Sequence, residues 1–127
     1  MRRLRLIAGT IALLAWTAAA SAQPAPPRPT DADIQRLMEV RTQALHDADQ
    51  CEALQHPAAS AAPCDAFFGA VAQYGGLLEP VFDWCEYVVR RIAAHDSSAR
   101  LDAYCLTLNH DPIIERNDRL VARMRRQ

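Results

Sequence analysis

The sequence predicts an all-α domain, a small bundle of four to five helices held by two disulfides. Three observations predict it. Apolar residues recur at helical spacing after residue 22, without strand-like alternation or a hairpin turn. The strongest stretch is Leu77 to Asp96, LLEPVFDWCEYVVRRIAAHD. There Leu77, Leu78, Val81, Phe82, Cys85, Val88, Val89 and Ile92 share an arc about 140° wide, with Glu79, Asp83, Glu86 and Arg90 opposite. Four cysteines in a short exported chain read as two disulfides.

Residues 1–22 read as a cleavable export signal. Arg2, Arg3 and Arg5 are its charged start. Leu6 to Ala20 is an apolar stretch too short and Ala-rich to span a bilayer comfortably, and Ala20-Ser21-Ala22 is a small-x-small cleavage site. The mature chain is expected to begin at Gln23, soluble, without an anchor, in a periplasm or outside the cell. Removing 22 of 127 residues leaves 105, enough for one domain over residues 31–127. All 14 cations are Arg. Three leave with the signal, so 11 face 15 acids and the net charge is −4. That balance disfavours nucleic acid as a general partner.

Residues 23–30, with the run QPAPPRP, form a proline-rich linker expected to be extended and poorly ordered. Thr30 is an N-cap, and Asp31 and Asp33 suit the positive end of a helix running to about Gln50. Ile34, Leu37, Met38, Ala44 and Leu45 share its apolar face, and Arg41 falls within that face. A cation there either snorkels or pairs structurally, or it points into a cleft as a ligand-binding group. Residues 52–63 read as a loop between Cys51 and Cys64. A short helix follows over Asp65 to Tyr74, and Gly75-Gly76 is expected to stop it. Pro80 then suits the first turn of the central helix. A further helix is expected from Ser97 to Leu108, with Leu101, Tyr104, Cys105 and Leu108 inward. Asp111-Pro112 starts the last helix, which runs to about Arg126 with Ile113, Ile114, Leu120, Val121 and Met124 inward.

Four cysteines allow three pairings. Cys85 and Cys105 lie on buried stripes, 11 residues before and nine after Asp96. An antiparallel hairpin about that point brings them side by side. Cys51 and Cys64 are left to clip the loop. There is no C-x-x-C, no pair of histidines at i, i+4, and no nucleophile motif around Ser97 or Ser98. His46, His95 and His110 each precede an aspartate, a pattern better read as helix ends and caps than as a metal site. No metal, cofactor or catalytic residue is therefore expected.

Two surfaces remain. Trp84, Tyr87 and Arg91 form a strip at the edge of the central helix, of the residue types enriched in binding hot spots. The bland alternative tucks Trp84 under the first helix or the linker. Arg116, Arg119, Arg123, Arg125 and Arg126 make a basic last helix, read first as a solvated end. In layout alone the chain resembles the small helical, disulfide-bonded periplasmic immunity proteins, a resemblance without a diagnostic motif. The expected function is non-enzymatic protein binding, as an inhibitor, toxin-immunity protein or assembly factor. The second reading is a small-ligand or metal carrier using the bundle interior, with Arg41 or the histidines contributing.

Overall fold

The computed structural model describes residues 24–108 and 111–127. The export signal expected over residues 1–22, and His110, lie outside the described residues. The rest is helical: α1 (Asp31–Glu52), α2 (Ala62–Ala93), α3 (Ala103–Leu108) and α4 (Pro112–Arg125), with no strand among the described residues. Three long helices and one of six residues thus replace the four or five expected.

Thr30 opens α1 through reciprocal bonds. Its hydroxyl accepts from the Asp33 N–H at 3.1 Å, and the Asp33 carboxylate accepts from the Thr30 N–H at 2.8 Å. Leu37, Val40, Ala44, Ala48 and Cys51 are buried, at the three- and four-residue steps of one helix face.

The largest correction concerns α2. Gly75-Gly76 does not stop a helix, and Pro80 does not start one. A single helix of 32 residues passes through all three. Cys64, Phe67, Ala70, Tyr74, Leu78, Val81, Cys85 and Val88 are buried along it, again at steps of three and four. That unbroken stripe packs against α1, and its burial outweighs the local signals for a break. Pro80 lacks an N–H, so the Gly76 carbonyl loses its helical donor. Gly76 and Pro80 are both exposed, so water can satisfy that carbonyl.

The two long helices are antiparallel. Leu37, near the start of α1, shares a core with Leu78 and Val81. Ala48 and Cys51, near its end, share one with Cys64 and Phe67. With 32 residues against 22, α2 is ten residues or about 15 Å longer. Its last turns therefore run past α1 and need other cover. Helix α2 ends on His95, in the left-handed region at φ 60. The His95 N–H reaches the Ile92 carbonyl and the Asp96 N–H reaches that of Arg91, both at 3.0 Å, closing the helix in a Schellman turn.

The helix expected from Ser97 is shorter than its pattern implied. Asp96 accepts from both the N–H and the hydroxyl of Ser98, at 2.9 and 2.6 Å, and holds a turn instead. Helix α3 begins only at Ala103, and Cys105 and Leu108 are buried on it. In α4, Asp111 accepts from the Ile113 N–H at 3.1 Å as the N-cap, with Pro112 next. Ile113 and Leu120 are buried, but Ile114, expected inward, is 55% exposed.

Both disulfides pair as derived, Cys51–Cys64 and Cys85–Cys105. They close separations of 13 and 20 residues, each contributing about 3 kcal/mol by the chain-entropy estimate. Among the described residues no helix is long and apolar enough to cross a membrane.

Candidate functional site

The overhanging end of α2 has two flanks, one on each side of the Cys85 line. Trp84, Tyr87 and Arg91 occupy the first. The Trp84 and Tyr87 rings lie 5.6 Å apart, tilted by 38°, and the Arg91 guanidinium sits 5.6 Å from the Tyr87 ring centre. The strip is thus assembled as its spacing implies, and its polar atoms are already engaged within the chain. The Trp84 indole N–H donates to Asp102 at 2.8 Å. Arg28 donates to the same carboxylate at 2.6 Å and lies 6.0 Å over the Trp84 ring. Arg91 donates to Asp96 through Nε and Nη2, at 2.8 and 2.6 Å, and to the Ser98 hydroxyl at 2.9 Å.

Arg28 lies in the proline-rich linker. The described linker residues have no helix or strand, as expected, but they lie against the domain rather than apart from it. Pro24 and Pro26 border a shallow cleft of ≈ 260 Å³ with Asp83, Glu86, Tyr87 and Arg90. The linker therefore covers part of the α2 overhang that α1 leaves bare. The linker is one of the two covers that the sequence offers for Trp84; which linker residue reaches it, and that Asp102 joins it, leaves no periodic signal.

The second flank carries Phe82, Val89 and Ile92, which are 40, 50 and 43% exposed. Leu106 and Ile114 add exposed apolar surface at 63 and 55%. Phe82, Leu108, Pro112 and Ile114 line a cleft of ≈ 540 Å³, together with Asp111, Glu115 and Asp118. Sequence periodicity placed Phe82, Val89, Ile92 and Ile114 in the core arc. A helical wheel reports direction but not where the neighbouring helix ends, and here the neighbour covers only the other part of the arc.

Arg41 Nε lies 3.5 Å from an Asp111 carboxylate oxygen, and the Asp111 side chain is only 3% exposed. The Tyr74 hydroxyl donates to the same carboxylate. Arg41 thus faces the N-cap of α4. Among the described residues no cluster of three or more His, Cys, Asp or Glu side chains could hold a metal ion.

The basic last helix is partly spoken for. Arg116, 14% exposed, donates to Asp49 at 2.5 Å and to Glu52 at 2.9 and 3.1 Å. Those bonds hold its guanidinium above the ordinary arginine range. Arg123 donates to the carbonyls of Glu52 and Leu54, at 3.1 and 3.2 Å. Helix α1 has no basic residue in its last turn, so α4 supplies the cations that its negative end favours. Arg125 and Arg126 remain exposed.

No protein-family model, curated protein or solved structure matches this chain.

Three carboxylates set the acid response. Asp96 is lowered to about 2 by the Ser98 hydroxyl, then by Arg91 and the Ser98 N–H. Asp102 is lowered chiefly by the Trp84 indole, and Asp33 by the Thr30 N–H. In the unfolded chain such groups take up protons near pH 4, whereas in the folded chain they stay charged to lower pH. Their contribution is fully present above about pH 4 and is lost as pH falls through their lowered folded values, for Asp96 about 2. The urea midpoint is expected to drop across that window, less steeply in Asp96→Asn. Equal slopes in the two proteins would show that Asp96 is not part of the response.

Proposed function

We propose that this chain is an exported, non-catalytic protein-binding module, of the kind that serves as an inhibitor, a toxin-immunity protein or an assembly factor. One observation carries the reading. Five large apolar side chains, Phe82, Val89, Ile92, Leu106 and Ile114, are 40–63% exposed. Phe82, Val89 and Ile92 share one helix face, and Ile114 joins Phe82 at a common cleft. Scattered apolar residues on a surface need no explanation, but a grouped set marks an interaction face. The Cys85–Cys105 bridge fixes the helix beneath, which lowers the ordering cost of binding. Two disulfides suit an oxidising compartment and so support the export reading.

The Trp84, Tyr87 and Arg91 strip takes the other role in this proposal, clasping the linker and the α2–α3 connection. The carrier reading rests on Arg41 or the histidines; the Asp111 carboxylate beside Arg41 favours a structural pair, and no described histidine belongs to a cluster of three or more possible metal ligands.

Affinity capture from periplasmic extract tests the assignment with three proteins: wild type, Val89→Glu/Ile92→Glu and Tyr87→Ala/Arg91→Ala. One stoichiometric protein is expected on the wild type and on the Tyr87/Arg91 variant, and none on the Val89/Ile92 variant. The reverse pattern would move the interface to the aromatic strip. Absence of any protein on all three, or a co-purified small ligand, would overturn the reading.

A further inference from the structure

The cleft between α2 and α4 has a chemistry of its own. Its apolar lining comes from Phe82, Leu108, Pro112 and Ile114, and its charged lining is wholly acidic: Asp111, Glu115 and Asp118. Asp111 is buried and answered by Arg41. Glu115 is exposed, with only a long 3.6 Å contact to Arg119, which is itself exposed. Asp118 is exposed and makes no ion pair among the described residues.

Carboxylates also stand near Phe82 on α2. Glu79 and Glu86 stand three residues before and four after Phe82, so they flank it on the same helix surface. Both are exposed. Glu86 pairs only with exposed Arg90, and Glu79 has no ion-pair partner among the described residues. Such surface pairs are weak and readily exchanged. The cleft itself is edged by the α4 carboxylates; Glu79 and Glu86 stand one turn either way from Phe82 outside its lining, and Glu86 also borders the linker cleft.

We propose that this cleft receives a cationic amphipathic helix of the partner protein. Apolar side chains at i, i+3, i+4 and i+7 fill the space by Phe82 and Ile114, Arg or Lys on one edge of that stripe meets Glu115 and Asp118, and those on the other edge come within reach of the carboxylates beside Phe82. The charges steer encounter and select against acidic helices, while the apolar contacts supply most of the affinity. This inference rests on the protein-binding reading and adds the chemistry of the partner segment.

The probe is a synthetic helical peptide of about 18 residues, with a leucine stripe and lysines on both edges. A glutamate-for-lysine analogue and a scrambled sequence are the controls. Binding to the full mature protein is followed by fluorescence anisotropy. The lysine peptide alone is expected to bind, more weakly at high salt. Phe82→Ser and Ile114→Ser are each expected to weaken it at least tenfold, as is Glu115→Arg/Asp118→Arg. All four positions are substantially exposed, so the variants should melt close to the wild type. Asp65→Arg reverses a single carboxylate at the far end of α2, half the charge change of the double variant, and should leave the affinity within twofold. Equal binding of the glutamate analogue, or of the scrambled peptide, would overturn the proposal. So would full affinity in the Phe82 and Ile114 variants, or a self-associating protein whose dimer excludes the peptide. A captured partner that needs Val89 and Ile92 but ignores charge reversal at Glu115 and Asp118 would leave the binding function standing and remove this cleft from it.

Discussion

Replacement of Asp111 by alanine is expected to lower the unfolding free energy by about 3–5 kcal/mol, because its side chain is buried and paired. Three groups converge on that carboxylate. The Ile113 N–H donates at 3.1 Å, the Tyr74 hydroxyl donates from the core, and Arg41 Nε stands 3.5 Å away. Alanine removes the N-cap of α4, worth about 1 kcal/mol. It leaves the Tyr74 hydroxyl without its acceptor where the residue is 2% exposed. It also leaves Arg41 without its countercharge, with that side chain 26% exposed. Asp111→Asn keeps a cap and an acceptor and loses only the charge, so about half the effect is expected. Urea titrations give both values, provided the slope m is unchanged. A loss within 0.5 kcal/mol for the alanine variant would mean that the three contacts are not jointly made. Arg41→Met completes the cycle. Strong coupling to Asp111→Asn would identify Arg41 as a structural partner, and additivity would return it to consideration as a ligand group.

Removing the Cys85–Cys105 bridge as the serine pair is expected to cost about 3 kcal/mol. The bridge spans a separation of 20 residues that contains only the end of α2, a turned connection and the first part of α3. Apart from the bridge, that connection is held by Ala99 and Leu101 against the core, by the Asp102 contacts and by the bonds from Arg91 to Asp96 and Ser98. Hydrogen exchange should therefore show where the loss falls. Amides over residues 96–105 are expected to lose protection first, while those of Leu37 to Ala48 hold until global unfolding. Because Asp102 receives both Trp84 and Arg28, the linker should loosen with the connection. Uniform loss of protection across α1 and α2 would instead make the bridge part of the global fold. In a domain of about this size, one such bridge is a large share of a stability of roughly 5–15 kcal/mol.

Reading helices from the chain succeeded where the cause was local. Thr30 and Asp111-Pro112 mark helix starts through their own hydroxyl, carboxylate and ring, and both mark them in the structure. The disulfide pairing was legible because it is a matter of register. Equal arms about Asp96 bring Cys85 to Cys105, and the remaining two cysteines must then meet. The same local logic failed at Gly75-Gly76 and Pro80. Each residue weakens a helix, and together they look like a boundary. The buried stripe from Cys64 to Val88 crosses them without a change of phase, and that longer pattern was the signal to weigh.

What the sequence determined by itself is the helical class, the two disulfides and the caps, since each follows from side-chain periodicity or from chemistry within a few residues. Tertiary structure alone decided which apolar residues are covered. Phe82 and Val89 share an arc with Val81 and Val88, yet the first pair is exposed and the second buried. Burial depends on where α1 ends, where the linker lies and how far α3 reaches. Those are distances between segments far apart in the chain, and no residue carries them alone. The same holds for Asp102 and Asp111. Asp102 carries no local signal and Asp111 only that of a helix cap; the fold alone brings an arginine and an aromatic side chain to each.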